Sequence, residues 1–490
     1  MTKIKTITTN NTHPSKTAWV FVCKKYHKII EKYQNIAIIV IMNNSDSIVA
    51  ISTGASSGAI SIVRMSGKDC VSIADNLFVS VSGDKPSHFV PRMLTLGTIK
   101  TESFNEQAMC VVFRGPKSYT GEDMVEFQCH GGTQIASGVM RECIAAGARI
   151  ATNGEFTKRA FMNGKMSLAS AEGMMDMINA ESDAEVRAGY NLLSGSLSKL
   201  ASSAQAELMD ILSEIEVSFD YPEETIEYIT KAKVKERLVR LEAEISKVLA
   251  TASAGKIIKS GINVLIVGKP NVGKSSLLNK LLDRERAIVT DIAGTTRDII
   301  EDSFMLGDIK INLIDTAGIH DTADKVEKIG VDKAKSLMDQ ADIILFLIDS
   351  SRTYSKEDEE ILSALSGKNY IVVKTKSDLE EKLNKTFENE IEISTLTGDG
   401  IENLKNKILE LTNLSNIPAD SIIITNERHK DALTRANKSL GRVIKNINAD
   451  TLDLVSIDIK QAYIEVGEIT GNTTSEDIID QIFKKFCLGK

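Results

Sequence analysis

The spacing of apolar positions changes along the chain, and each change predicts a different architecture. Residues 48–160 carry short apolar runs broken by glycines and polar turns. Ala59-Ile-Ser-Ile-Val63 and Ala108-Met-Cys-Val-Val-Phe113 predict strands, and Val125-Glu-Phe-Gln-Cys129 alternates with the period of a half-buried strand. Together they predict an α+β region. Residues 167–258 switch to helical spacing with few breakers, Pro222 being the main one, and residues 426–490 return to it. There, Thr474-Ser-Glu-Asp477 predicts a capping-box helix start, and Ile478, Ile479, Ile482, Phe483 and Phe486 form one apolar stripe. Between the helical segments lie apolar strand-like runs at 262–267, 309–314, 343–348 and 370–373. The simplest arrangement packs the two helical segments together, with the intervening α/β segment inserted between them.

The first of those runs, Ile262-Asn-Val-Leu-Ile-Val267, leads into Gly268-Lys-Pro-Asn-Val-Gly-Lys-Ser275 and then the helix-like Ser276-Leu-Leu-Asn-Lys-Leu-Leu282. Strand, G-x-x-x-x-G-K-S, helix is the context that a phosphate-binding loop requires. Glycines let backbone N–H groups turn inward around a di- or triphosphate, and the helix N-terminus adds its positive dipole end. Asn271, Val272, Gly273, Lys274, Ser275 and Ser276 are therefore candidate nucleotide contacts. Lys274 is placed to reach the β- and γ-phosphates, and the Ser275 hydroxyl to meet Mg²⁺.

Pieces downstream follow the order of a GTP-binding domain. The polar loop Thr290-Asp291-Ile292-Ala293-Gly294-Thr295-Thr296 offers Thr296 to complete the Mg²⁺ shell. The strand 309–314 ends in Asp315-Thr316-Ala317-Gly318, where the carboxylate can hold the metal through water and the Gly318 N–H can sense a γ-phosphate. In Lys374-Thr375-Lys376-Ser-Asp378 a carboxylate can accept two hydrogen bonds from guanine, donors that adenine lacks there. The usual form of this loop is Asn-Lys-x-Asp. Thr375 replaces the Asn, which removes one anchoring amide. Ser394-Thr395-Leu396 stands where Ser-Ala-Lys is common, with a backbone N–H available to the guanine carbonyl.

Small signalling GTPases place a glutamine just after the Asp-x-x-Gly turn to orient water. Here Ile319 and His320 follow. Ile319 cannot orient water; His320 can, and the acidic stretch 321–327 offers other candidates. No arginine finger is evident in the loop. A monovalent cation ligated by Asn271 and carbonyls of the 290–296 loop can supply the missing positive charge.

Composition bounds the rest. At 490 residues the chain is too long for one ordinary domain, and 42% apolar content is globular. No apolar run reaches the ~18 residues of a membrane span. The first 41 residues stand apart, with seven lysines, no arginine, one acid (Glu31) and the only tryptophan, Trp19. They lack the marks of a transit or secretory peptide. They predict an extension outside the fold, an artefact of the assigned start with Met42 as the true one, or else a short targeting or regulatory tail. The whole chain has formal charge −8 and this stretch carries +6 of it, so the remainder stands at −14. An acidic body excludes a general nucleic-acid binder; RNA contact needs a local basic patch or a partner. The six cysteines form no C-x-x-C pair, which fits reduced, mostly buried thiols and no zinc site.

The chain resembles the MnmE/TrmE family of tRNA-modification GTPases from Ser45 to Lys490. The resemblance rests on Gly115-Pro-Lys-Ser-Tyr-Thr-Gly-Glu-Asp123, Cys129-His-Gly-Gly132, Gly154-Glu-Phe-Thr-Lys-Arg-Ala-Phe161, Thr290-Asp-Ile-Ala-Gly-Thr-Thr-Arg-Asp298, Asn426-Glu-Arg-His429 and Phe486-Cys-Leu-Gly-Lys490. It implies a multidomain α/β and α+β fold. Residues 42–163 would form an N-terminal α+β domain that binds tetrahydrofolate and dimerises. Residues 164–258 and 413–490 would form a helical domain, and 259–412 an inserted Ras-like P-loop GTPase domain.

Residue by residue, the resemblance implies that Arg64, Glu126, Lys165 and Lys490 contact a 5,10-methylene- or 5-formyl-tetrahydrofolate. It implies that Cys487 takes part in the tRNA chemistry, and that Asn271, Thr290, Ile292 and Thr295 ligate K⁺. Ser275 and Thr296 would ligate Mg²⁺, and Glu327, beside Lys274, would act on the attacking water. It further implies a cytoplasmic homodimer that works with an FAD-dependent MnmG/GidA-family partner in a heterotetramer. Together they would build an aminomethyl or carboxymethylaminomethyl group on the wobble uridine of tRNAs.

The chain departs from the family pattern at Gly54-Ala-Ser-Ser-Gly58, which lacks a Pro-Pro-Gly-Arg character, at Thr375 and at 394–396. Two other readings of the central domain are a ribosome-assembly GTPase, against which the acidic flanks argue, and a non-catalytic GTP switch.

Overall fold

The computed structural model describes residues 46–54, 58–220, 231–282, 300–314, 336–412 and 421–489. Outside the described residues lie the 1–41 extension, Pro222, the middle of the Gly54–Gly58 loop, the 290–298 loop, Asp315–Gly318, Ile319, His320, Glu327 and Lys490. The described residues pack as two units. One falls within Met1–Ala171, Met209–Val234 and Gly471–Lys490; the other falls within Glu172–Leu208 and Lys235–Thr470.

The first unit is built on a seven-stranded sheet. Its strands are β1 (Ile48–Ile51), β2 (Ile60–Ser66), β3 (Phe78–Ser80), β4 (Thr95–Lys100), β5 (Asn105–Phe113), β6 (Met124–His130) and β7 (Arg149–Ile150), in the order β3-β4-β5-β6-β2-β1-β7. All neighbours are antiparallel except β1 and β7. Helices α1 (Cys70–Leu77) and α2 (Thr133–Ala145) cover one face, and their apolar sides join Val63, Met65, Cys110 and Phe127 in a single core. The three strands expected from sequence are present; the one expected from Ala59 runs on to Ser66. Burial pushes the thiols of Cys70, Cys129 and Cys143 up to about 12, which makes them inert packing groups.

The chain returns to this unit at its end. Helix α3 (Glu155–Met162) follows Gly154 at φ +68, and a Cβ there would lie 2.4 Å from the Phe483 carbonyl oxygen. That close approach seats the last helix, α14 (Glu476–Phe483), with Phe161, Phe483 and Phe486 in ring contact. This helix corrects the sequence reading twice. It begins at Glu476 with Ser475 as N-cap and no side-chain cap bond, one residue later than the Thr474 box expects. Ile478 is exposed, so the buried stripe is Ile479, Phe483 and Phe486. A step of one residue turns ~100° around a helix, so Ile478 cannot share the face of Ile479 and Phe486.

The second unit contains a six-stranded sheet: β8 (Ile262–Val267), β9 (Ile300–Leu306), β10 (Ile309–Ile314), β11 (Ile343–Asp349), β12 (Tyr370–Thr375) and β13 (Glu390–Glu392), ordered β13-β12-β11-β8-β10-β9. Only the β9–β10 hairpin is antiparallel. β8 and β11 lie at the centre, and their near-continuous apolar runs follow from burial on both faces. Around the sheet stand α9 (Lys274–Leu282), α10 (Lys356–Ala364) and α11 (Ile401–Leu411).

The remaining helices are α4 (Leu168–Ile178), α5 (Asp183–Leu193), α6 (Ser196–Asp220), α7 (Lys231–Leu249), α8 (Ala252–Ser260), α12 (Glu427–Asn446) and α13 (Leu452–Thr470). Within the second unit the segments before and after the nucleotide sheet do meet. Gln205 donates to the Tyr463 carbonyl at 3.2 Å, and Ser246 contacts Asn437. A Cβ on Gly255 would lie 1.9 Å from the Ile424 carbonyl oxygen, so α8 packs directly on the returning chain. On α4, the buried Glu172 pairs with Arg428 and His429 of α12.

Candidate functional site

The phosphate loop springs from the C-terminal end of β8, between two parallel neighbours, which is where open α/β sheets place ligands. Two glycines shape it. Gly268 has φ +153, and a Cβ on it would lie 2.6 Å from the Leu347 carbonyl oxygen; Gly273 has φ +101. Asn271 itself takes φ +63, a left-handed conformation that Asn tolerates better than most residues. Lys274 opens α9, and its ammonium donates to the carbonyls of Gly268 (2.6 Å) and Lys269 (3.4 Å). Ser275 and Ser276 are exposed on the first turn of that helix, while Val272, Leu277 and Leu281 are buried beneath it. The loop mouth thus combines a helix start, an ammonium and exposed side-chain oxygens.

The candidate base-recognition loop, 374–378, is fixed against this cradle. Thr375 ends β12 fully buried, and its hydroxyl donates to the Val272 carbonyl at 2.6 Å, with the Ile348 carbonyl at 3.2 Å. A threonine therefore makes the tie between base loop and phosphate loop that the sequence pattern alone suggests is weakened. Lys376 adopts φ +59, and its ammonium lies 2.6 Å from Asp349 Oδ2. Burial opposes the charge on Asp349, but hydrogen bonds from Lys376 and Ser351 outweigh it and hold its carboxyl below the usual range. Ser394, also buried, donates to Asp378 Oδ1 at 2.6 Å, which brings the 394–396 loop to the carboxylate expected from sequence to read guanine; Thr395 is half-buried and Leu396 exposed.

Four residues here are not singled out by the sequence. Ser350 donates to the Thr375 carbonyl at 2.8 Å, next to Asp349. Lys269 pairs with Asp358 at 2.6 Å. Polar Asp349-Ser350 closing an apolar run, and the capping-box spacing of Ser355 and Asp358, are the available signals; nothing in the sequence pairs them with Lys376, Thr375 and Lys269. The described residues include no part of the 290–298, 315–318 or 327 positions, so the sequence alone speaks for those.

A second cluster lies in the first unit. Arg64 on β2 and Glu126 on β6 are register partners, with Nε donating to Oε1 at 2.7 Å. The guanidinium also donates to the Gly489 carbonyl (3.4 Å) and stands 5.6 Å and 5.8 Å from the Tyr119 and Phe156 rings. Ser52 donates to the same carbonyl at 3.0 Å, which anchors the C-terminal segment here. Cys487 is exposed. Lys165 donates to the Pro116 carbonyl at 2.8 Å, on the 115–123 loop, and no described contact joins it to Arg64. Tyr119 and Phe156 lie inside the 115–123 and 154–161 stretches without being singled out there, and Ser52 has no distinguishing signal in the sequence. Among the described residues, no helix is long and apolar enough to cross a membrane.

Two family models match the chain: one described as the MnmE helical domain over residues 168–487, the other as the N-terminus of GTP-binding protein TrmE over 47–165. The tRNA modification GTPase MnmE of Clostridioides difficile is 43% identical over 455 residues, spanning 91% of this chain and 99% of that protein. That of Alkaliphilus oremlandii is 42% identical over 457 residues, with the same shares of each chain. The Ligilactobacillus salivarius protein is 40% identical over 460 residues, 91% of this chain and 98% of its own.

Proposed function

The chain belongs to the MnmE/TrmE family of tRNA-modification GTPases, and from that membership we propose that it is a potassium-activated GTPase acting with an FAD-dependent MnmG/GidA-type partner on the wobble uridine of tRNAs. It hydrolyses GTP. The observation that carries the nucleotide assignment is the Thr375 hydroxyl on the Val272 carbonyl, because it sets the guanine-reading loop and the phosphate loop in one rigid frame. Asp378, held by Ser394, reads the base; Lys376 lies along it; Val272, Gly273 and Ser276 offer backbone N–H groups to the phosphates.

The exposed oxygens at the loop mouth fit hard cations. Ser275 with Thr296 would hold Mg²⁺, and Asn271 with Thr290, Ile292 and Thr295 would hold K⁺; when bound, these ions neutralise charge on the phosphate oxygens. Asp315 through Gly318 and the 291–294 backbone complete the proposed GTP contacts, with Glu327 aligning the attacking water.

The Arg64 cluster, a cation between two aromatic rings, fits a ligand that carries both a flat ring and carboxylates, as a 5,10-methylene- or 5-formyl-tetrahydrofolate does. Lys165 and Lys490 would add charge, and Cys487 would serve the tRNA chemistry. Residues 42–163 are proposed as the folate and dimerisation domain, 164–258 with 413–490 as the helical domain, and 259–412 as the GTPase domain. Exposed Val79, Val81 and Leu96 on the β3–β4 edge support a homodimer formed through the first of these, and a cytoplasmic heterotetramer with the flavoprotein is proposed from the family membership.

GTP turnover is expected to be about tenfold or more faster in potassium than in sodium, and Asn271→Ala to abolish the difference. Equal rates in the two salts for the unaltered protein would overturn the potassium reading. Loss of the wobble-uridine modification in a strain lacking the gene would separate this function from ribosome assembly.

A further inference from the structure

Lys269, the second residue of the phosphate loop, points away from the catalytic lysine. Its ammonium lies 2.6 Å from Asp358 Oδ2 and 3.0 Å from the Ser355 hydroxyl oxygen. The Asp358 side chain is only 2% exposed and that of Lys269 21%, so this is no solvated surface pair. Among the described residues, Lys269 is the one cation paired with Asp358, and Asp358 Oδ1 meets no hydrogen-bond partner. The same Oδ2 accepts the Ser355 N–H at 3.0 Å, so the carboxylate that caps α10 also anchors the loop. On its other side, the Lys269 peptide offers its carbonyl, with that of Gly268, to the Lys274 ammonium.

We propose that Lys269 and Asp358 form a positioning pair that pre-shapes the phosphate loop for GTP and GDP, an inference that rests on the assignment of this loop as the nucleotide site. The connection between β11 and α10 then works as one brace. At its start, Asp349 and Ser350 hold Lys376 and the Thr375 carbonyl of the base loop. At its end, Ser355 and Asp358 hold the phosphate loop. A loop ordered before binding loses less conformational freedom when the nucleotide arrives, which raises affinity without any new contact to the ligand. Neither residue needs to touch nucleotide for this; both act through the backbone at 268–269.

The test uses the full-length chain with a fluorescent N-methylanthraniloyl-GDP and steady-state GTP turnover. Lys269→Met, which keeps length and loses charge, and Asp358→Asn are each expected to weaken GDP binding about tenfold and to raise KM more than they lower kcat. The double variant is expected to bind no worse than the weaker single one, and Lys269→Arg to restore affinity to within about twofold. Additive losses in the double variant, or unchanged affinity with only a lowered unfolding temperature, would overturn the pair. Lys269→Met leaves the α10 cap intact, so it remains informative if Asp358→Asn folds poorly. Failure of the unaltered chain to bind GDP would instead remove the nucleotide assignment itself.

Discussion

Replacing Lys274 with alanine is expected to lower GTP turnover by about 10²- to 10³-fold. The ammonium sits at the start of α9, held at 2.6 Å by the Gly268 carbonyl, and is the one side-chain cation that the loop itself aims into the cradle. Charge on the transferring phosphoryl oxygens must be met by groups already in place, and losing one such group raises the barrier by about 3–4 kcal/mol. Arginine is expected not to rescue, because its planar fork cannot occupy a position shaped for a compact ammonium between two backbone carbonyls. Phosphate release under saturating GTP, alongside GDP binding, checks both claims. Turnover within about threefold of the unaltered enzyme, with normal binding, would mean that this loop does not hold the triphosphate.

Glu172→Ala is expected to destabilise the second unit by about 3–5 kcal/mol, since it removes the carboxylate that pairs with the part-buried Arg428 and the buried His429. Glu172 on α4 receives the Arg428 Nε at 3.0 Å and lies 2.8 Å from His429 Nε2, and His429 is 1% exposed. Burial alone would raise the Glu172 carboxyl, but the contacts of His429 and Arg428 outweigh it and hold it at about 2. Its folded value therefore lies below its ordinary one. The stability it contributes is complete above roughly pH 5 and is lost as the pH falls toward 2, amounting to about 3 kcal/mol. Glu155 in the first unit, held at about 2 by Arg149, the Thr152 N–H and Arg159 against its own burial, loses stability over the same window. Urea unfolding from pH 7 to pH 3 should show a shallower acid loss for Glu172→Gln than for the unaltered chain. Equal slopes would show that this carboxylate is not the one titrating.

Much of the nucleotide site is legible in the chain's local pattern. From Ile262 to Leu282 an apolar strand, glycines at positions of positive φ and a helix start follow one another directly, so spacing alone identifies them. Thr375 is legible as a residue but not in its effect. Against the usual Asn it reads as a loss, whereas its hydroxyl reaches Val272, 103 positions away. The last helix shows a smaller difference: the local pattern at Thr474 matches, yet the helix begins one residue later, with Ser475 as N-cap.

By itself, then, the sequence determined the element types, the phosphate loop and the placing of the sheet's strands between helical segments, because those depend on periodicity and on backbone angles within a few residues. Tertiary structure alone decided which side chains meet. Lys269 finds Asp358 because β11 lies beside β8 in the sheet. Arg64 finds Gly489, 425 positions on, because the last helix seats on Gly154. Glu172 finds Arg428 and His429 because the chain returns to its helical unit after the nucleotide sheet is complete. Such pairings are set by strand order and close backbone approach, and no local pattern encodes either.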